Sequence, residues 1–123
     1  MKKTTTLFAA ALFLFSAISA FGREARLVRY PHYHNGRIVF SYLGDIWTAD
    51  ENGQNIQRLT VNRARDVYGR FSPDGKWIAF SVSPEHHQGE DWDLAIVDPS
   101  RTQPARRLTT GTGNDRLPDW KAP

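Results

Sequence analysis

The chain has 123 residues, a length that allows one domain at most. It contains no cysteine, which excludes disulfides, thiolate metal sites, a cysteine nucleophile and a lipid anchor on cysteine. Of its 16 basic residues, Lys2 and Lys3 belong to the N-terminal segment described next, and the 14 others face 13 acidic residues without forming a broad basic stripe. Nucleic-acid binding is therefore not expected.

Residues 1–22 have the pattern of a secretory signal peptide. Lys2 and Lys3 precede an apolar run over residues 7–18, and Ala20 and Gly22 provide the small residues that a signal peptidase accepts near Gly22. The run is too short to span a bilayer comfortably, although an uncleaved anchor stays open as an alternative. We expect an exported protein, periplasmic or secreted, with no membrane segment after cleavage.

Residues 25–61 predict four antiparallel strands, named blade one. The first strand is expected to end at Pro31, which cannot donate to a strand ladder. The dipeptide Asn35-Gly36 is typical of a tight hairpin turn, and Gly44 marks the next reversal. The predicted strands cover residues 25–30, 37–42, 46–49 and 56–61.

Residues 67–110 repeat this pattern as blade two. The hairpin between its first two strands carries a turn motif in which Pro73 presets φ, Asp74 bonds its own backbone and Gly75 accepts a positive φ. The whole motif is Phe71, Ser72, Pro73, Asp74 and Gly75. The predicted strands cover residues 67–71, 77–82, 93–97 and 105–109, and both faces of the second are expected to be buried. A loop over residues 83–91 is longer than its counterpart in blade one.

Three matched pieces in one order identify the chain as a repeat. Residues 35–41, 45–50 and 57–60 align with residues 74–81, 93–98 and 106–109. The spacing lies near the roughly 40–50 residues of a four-stranded propeller blade. Residues 115–123 then begin a third copy, with Trp120 in the place of Phe71. Residues 23–123 are therefore expected to form an all-β, incomplete β-propeller of about two antiparallel blades and the first strand of a third.

These motifs resemble those of known propellers. Residues 71–80, together with Arg58-Leu59-Thr60, resemble the WD-like repeats of TolB and of tricorn-type peptidases. Residues 27–40 and 44–47 resemble the first blade of secreted bacterial tricorn-like peptidases. The resemblance implies an N-terminal propeller of six or seven blades followed by a serine peptidase core. None of the motif positions of that core is present in this chain.

The sequence offers few residues for chemistry. It has no Gly-x-Ser-x-Gly elbow, Ser-x-x-Lys pair, His-Glu-x-x-His helix or phosphate-binding glycine loop. Ser72 and Ser81 are interpreted as partners of nearby backbone rather than as nucleophiles. The weak metal-binding candidates are His86, His87, Glu90 and Asp91, for which a solvated loop is the simpler interpretation. No catalytic residue and no cofactor are expected.

Other conspicuous side chains have structural interpretations. His32 and His34 share one side of an extended segment, where packing is favoured and a role along a substrate path stays open. Asp45 and Asp93 occupy the same repeat position, which indicates a role in building the blade. Packing between blades is the favoured role of the four tryptophans. They are Trp47, Trp77, Trp92 and Trp120.

The resemblance favours a non-catalytic propeller segment of an exported tricorn-like serine peptidase. Such a segment would guide or screen peptides or unfolded proteins, since a ring of blades leaves a central channel. One alternative is a TolB-like module whose propeller face docks other envelope proteins. Another is a truncated product that is unstable because its blade faces and edge strands are bare.

Overall fold

The fold is given by a computed structural model that describes residues 27–61, 63–83, 91–111 and 113–122. The described residues form eight β-strands and no helix, and no segment among them is a helix able to cross a membrane. The strands are β1 (Arg29–His34), β2 (Arg37–Tyr42), β3 (Asp45–Asp50), β4 (Gln57–Arg58), β5 (Arg65–Phe71), β6 (Ile78–Ser83), β7 (Asp93–Val97) and β8 (Arg106–Arg107).

The strands form two four-stranded sheets in simple chain order. Blade one has the order β1-β2-β3-β4 and blade two the order β5-β6-β7-β8, with antiparallel pairing throughout. Asn35 and Gly36 both have positive φ, at 45° and 80°, as a two-residue hairpin that follows the twist of its strands requires. The predicted all-β class and the two four-stranded antiparallel sheets are confirmed.

The prediction that the first strand ends at Pro31 was wrong. Strand β1 continues through Pro31 to His34 rather than ending at the proline. Its pairing with β2 shifts between Arg29 and His32, and Tyr30 has a φ of 54°. This irregularity accommodates Pro31 because a residue in a bulge need not donate to the ladder. Residues 25 and 26 lie outside the described residues.

The outer strands β4 and β8 are only two residues long, against predicted spans of six and five residues respectively. Beyond Arg58, the N–H groups of Leu59 and Thr60 both donate to the carbonyl of Ile46. The regular hydrogen-bond pattern between β3 and β4 therefore does not continue. Leu108 and Thr109 do the same with the carbonyl of Leu94 in blade two. Regular pairing therefore ends after the arginine in each blade.

The hydrophobic core lies between the two sheets. Strand β5 packs across β1, β2 and β3, which brings Val39 and Ile46 of blade one against blade two. All six residues of β6 are buried, so the prediction that both of its faces are covered is confirmed. Gly69 in β5 sits so near to blade one that an added Cβ would lie 2.8 Å from Cγ2 of Val39.

Residues 113–122 follow blade two and belong to no strand of either sheet, although Asn114 forms an isolated parallel bridge with Trp92. The backbone N–H of Leu117 donates to Oγ of Ser81 at 3.1 Å, and the indole N–H of Trp120 donates to the carbonyl of Arg70 at 3.0 Å. Leu117 has a φ of 56°, close to the values at Tyr30 and Tyr68. The segment thus repeats the positive φ that occurs within β1 and β5, although it is not part of either sheet.

Candidate functional site

The inner edge of the two blades is formed by β1 and β5, which contact each other at the ends of the sheets opposite to β4 and β8. Tyr30 and Tyr68 occupy equivalent positions there, with φ values of 54° and 61°. A left-handed conformation costs a residue with a Cβ roughly 1–3 kcal/mol and persists only where the surroundings enforce it. The ring centroids of the two tyrosines lie 4.3 Å apart, so each ring fixes the other.

The tyrosine pair is also linked through its hydroxyl groups. A hydrogen bond between them lowers the pKa of Tyr30 and raises the pKa of Tyr68. Burial opposes the first shift, while the positive charges of Arg29 and Arg65 add to it. Two arginines on neighbouring inner strands therefore lie within electrostatic reach of the Tyr30 hydroxyl.

A cleft of about 220 Å³ opens between the blades on one side of this tyrosine pair. Its floor includes Ser41 of β2, and its rim carries Arg29 and Arg65, both exposed. The turn between β2 and β3 closes one end, because the backbone N–H of Asp66 donates to the carbonyl of Gly44 at 2.8 Å. The lining residues are Leu27, Arg29, Tyr30, Ser41, Leu43, Gly44, Arg65 and Val67.

A second, more polar cleft of about 320 Å³ lies beyond Tyr68. It is lined by Tyr68, Arg70, Leu117, Pro118 and Asp119. Sequence reasoning singled out neither cleft. The sequence does repeat an arginine and a tyrosine around the first strand of each blade. This repeat was interpreted only as the alternation of side chains along a strand.

His32 and His34 lie on the next stretch of β1 and pack against the hairpin of blade two. The backbone N–H of Phe71 donates to Nδ1 of His32 at 3.1 Å, and the ring of His34 lies 5.6 Å from the ring of Phe71. Burial lowers the pKa of His32, and the positive charge of Arg70 lowers it further. Both histidines therefore lie at the junction between the blades.

The turn motif stabilises the blade-two hairpin through a small hydrogen-bond network. Oγ of Ser72 accepts the N–H of Trp77 at 3.0 Å and donates to Oδ1 of Asp74 at 2.6 Å. The bond from Ser72, together with the backbone N–H of Lys76, lowers the pKa of Asp74. Gly75 has a φ of 71°. Phe71 and Pro73 complete the motif, all of whose contacts here are structural.

Ser81 was also expected to bond to nearby backbone. It does bond to backbone, but to a residue that is distant in sequence. Its partner is Leu117, 36 positions away in sequence. Ser81 therefore ties blade two to the segment that follows it. The expectation failed because the two residues meet only through the packing of blade two against residues 113–122.

The repeated aspartates have matching ion pairs. Arg58 donates to Oδ2 of Asp45 from Nε at 3.0 Å and from Nη2 at 2.5 Å, while Nη1 of Arg107 lies 2.9 Å from Oδ2 of Asp93. The threonine of each Arg-Leu-Thr triplet accepts the N–H of the residue after the aspartate, at 2.9 Å in both blades. These bonds join the third strand of each blade to its outer strand.

The tryptophans divide between two environments. The ring of Trp47 contacts Tyr42 and lies beneath Arg58, and Trp77 lies beneath Arg106, so these ring contacts fall within single blades rather than between blades. Trp92 contacts the segment that follows blade two, and Trp120 lies within that segment and bonds back to blade two. Their partners are the guanidinium of Arg116, 4.6 Å from the ring of Trp92, and the Arg70 carbonyl described above.

The weak metal-binding candidates His86, His87 and Glu90 lie outside the described residues. The fourth candidate, Asp91, is described and exposed. Within residues 27–61, 63–83, 91–111 and 113–122, no three histidine or acidic side chains come together in a way that would hold a metal ion.

Comparison with known proteins agrees with this architecture. Residues 25–123 match the family described as the tricorn protease N-terminal beta propeller domain. The chain is 35% identical over 113 residues to the Streptomyces coelicolor protein named "Putative tricorn protease homolog 2", covering 87% of this chain and 9% of that protein. It is 27% identical to the crystal structure of the tricorn protease, with a TM-score of 0.57 over 68% of this chain and 8% of the other. The chain belongs to the tricorn protease N-terminal beta propeller domain family.

Proposed function

We propose that the chain is a non-catalytic part of the N-terminal propeller of an exported tricorn-like serine peptidase, where it guides or screens peptide substrates. The observation that carries this proposal is the inner edge, where β1 and β5 of successive blades lie side by side with polar and aromatic side chains. The inner strands of a propeller surround its central channel. An extended peptide moving along that channel would meet these side chains first.

The chain spans about 9% of the length of the curated relative that it matches. A proteolytic centre would therefore lie in another part of such a protein, consistent with the lack of nucleophile motifs in this sequence. Export is supported by the charged, apolar and small-residue pattern of residues 1–22.

The first experiment is to measure the size of the native product in the cell envelope fraction with an antibody against residues 23–123. We expect a band several times larger than 14.0 kDa that reacts with a serine-directed activity probe. A large band that the probe never labels would favour a TolB-like binding module. A band of only 14.0 kDa would contradict the peptidase proposal.

Guiding of substrates has its own test. Arg70, exposed on β5 in the second cleft, would contact a passing chain, whereas Arg106 is exposed on the outer strand β8. Arg70→Gln should lower kcat/KM for a long unfolded substrate and leave kcat/KM for a tripeptide unchanged. Arg106→Gln is the matched control and should change neither. Equal effects of Arg70→Gln on both substrates would contradict a guiding role.

A further inference from the structure

Two phenol rings meet at the junction between the blades. The ring centroids of Tyr30 in β1 and Tyr68 in β5 lie 4.3 Å apart, with an angle of 50° between the ring planes. This separation is just below the roughly 4.5–7 Å that is usual for aromatic pairs. The two hydroxyl groups are hydrogen-bonded to each other. The fold therefore holds two oxidisable side chains from different blades in direct contact.

The backbone keeps the two rings in place. Both tyrosines lie where the pairing of the first strand with the second is irregular, and their φ values are 54° and 61°. Such left-handed conformations persist only where the surroundings enforce them. Gly69, next to Tyr68, packs so near to Val39 that an added Cβ would lie 2.8 Å from Cγ2 of that residue. Close packing beside the rings therefore limits their movement past each other.

Small oxidants have access to both rings. Tyr30 lines the first cleft and Tyr68 lines the second, so the pair is open to solvent from two sides. Each tyrosine is nevertheless half-buried. A tyrosine ring of a second protein molecule therefore reaches either of them less easily than the two rings reach each other.

The surroundings favour the loss of an electron from Tyr30. The hydrogen bond with Tyr68 lowers the pKa of Tyr30, and the positive charges of Arg29 and Arg65 lower it further, although burial opposes them. A phenolate gives up an electron more readily than a phenol does. Tyr30 is therefore the residue of the pair that is oxidised first, with the ring of Tyr68 already beside it.

We propose that Tyr30 and Tyr68 are a modification site at which oxidation forms a dityrosine cross-link between blade one and blade two. Each phenol loses one electron and one proton to a haem peroxidase that hydrogen peroxide has oxidised. The two phenoxyl radicals join through a carbon–carbon bond between ring positions ortho to the oxygens. The hydrogens on these two carbons leave as protons, and both oxygens are protonated again. Overall, two tyrosines and one hydrogen peroxide give one dityrosine and two water molecules.

Such a bond would fasten the inner strands of the two blades. This sequence contains no cysteine, so a disulfide between these two blades is excluded. A covalent link between residues far apart in sequence stabilises a fold mainly by restricting its unfolded state. The proposal concerns the stability of the blade junction and does not depend on the proposed function.

The test is to treat the full-length protein with a haem peroxidase and hydrogen peroxide and to map the products by mass spectrometry. Trypsin releases Tyr30 in residues 30–37 and Tyr68 in residues 66–70, because an arginine precedes and ends each peptide. We expect these peptides to be joined, at the sum of their masses less two hydrogen atoms. In a mixture of isotope-labelled and unlabelled protein, both halves should come from one molecule. No joined peptide, or mostly mixed pairs, would overturn the proposal.

Variants locate the bond. Tyr30→Phe and Tyr68→Phe should each abolish the joined peptide. Tyr33→Phe is the matched control, because Tyr33 lies in the same tryptic peptide, is 58% exposed and donates its hydroxyl to Glu51. Exposure alone would make Tyr33 the reactive residue, whereas the geometry of the pair predicts that Tyr33→Phe keeps the cross-link. A link that survives Tyr30→Phe and is lost in Tyr33→Phe would contradict the assignment.

Two further readouts separate a site built by the fold from chance oxidation. Protein oxidised in concentrated urea should give at least tenfold less of the joined peptide, because unfolding removes the proximity of the rings. Oxidation of the native protein should raise its Tm, and oxidation of Tyr68→Phe should not. Equal yields from native and denatured protein, or complete cross-linking with no rise in Tm, would overturn the proposal.

Discussion

The backbone N–H of Phe71 donates to Nδ1 of His32 across the junction between the blades, at 3.1 Å. The two residues are 39 positions apart, and the bond requires that Nδ1 carry no proton. Burial and the nearby positive charge of Arg70 lower the pKa of His32 below its ordinary value of 6.5. The bond and the pKa therefore both favour a neutral imidazole.

This relationship predicts a dependence of stability on pH. Because the folded pKa of His32 is below the unfolded one, the unfolded state binds more protons once the pH falls below about 6.5. The contribution of His32 is fully present above that value and is lost as the pH falls through the folded pKa. His32→Gln, whose amide oxygen can accept the same N–H, should flatten this part of the curve of Tm against pH.

His34→Gln is the matched control for His32→Gln, since His34 lies on the same strand and packs on the same ring. It should retain the slope between neutral and acidic pH. If the slope persists in His32→Gln and disappears in His34→Gln, the assignment to His32 is wrong.

The ion pair between Asp45 and Arg58 should contribute to the stability of blade one. The Asp45 side chain is 7% exposed, so Arg58→Ala leaves a buried carboxylate without its two charged donors. We expect a loss of about 1–3 kcal/mol in the free energy of unfolding, measured by urea denaturation. Arg106→Ala, which removes no ion pair, is the control variant.

A double-mutant cycle tests the same ion pair. Asp45→Ala combined with Arg58→Ala should lower the free energy of unfolding by less than the sum of the two single changes. Full additivity would indicate that the pair contributes little.

Gly69 should not tolerate a larger residue. The Cβ of Gly69→Ala would lie 2.8 Å from Cγ2 of Val39 and press the two blades apart, for which overpacking predicts a loss of about 1–3 kcal/mol. Gly113→Ala, whose Cβ would meet nothing within 4 Å, should change stability by less than about 0.5 kcal/mol. Thermal unfolding of both variants would check this, and equal Tm values would show that the blades part more easily than the packing indicates.

The lowered pKa of Asp98 predicts a second dependence of stability on pH, at more acidic pH than that of His32. The hydroxyls of Thr102 and Ser100, with the Ser100 backbone N–H, lower the pKa of Asp98 from 3.8 to about 2. Since the folded pKa is the lower one, this contribution to stability is present above about pH 4 and is lost as the pH falls toward 2. Asp98→Asn should remove the decrease in Tm that the protonation of Asp98 causes between about pH 4 and pH 2. Asp115→Asn, an exposed change in the segment after blade two, should retain it.

The sequence alone determined the repeating part of this fold. Turn chemistry is local, so Asn35-Gly36 and the motif around Gly75 predicted reversals from neighbouring residues alone. The recurrence of the Arg-Leu-Thr triplet predicted two copies of one four-stranded unit. The ends of strands were less predictable, as Pro31 shows, because a bulge is decided by pairing with another strand.

Only the tertiary structure decided what the junction between the blades contains. The bond between His32 and Phe71, the bond between Leu117 and Ser81, and the cleft lined by Arg29 and Arg65 all depend on how one sheet packs on the next. No local pattern encodes these contacts, because they join residues brought together by the packing of β5 against blade one. The sequence therefore defined the blades, and the packing between them created the candidate site.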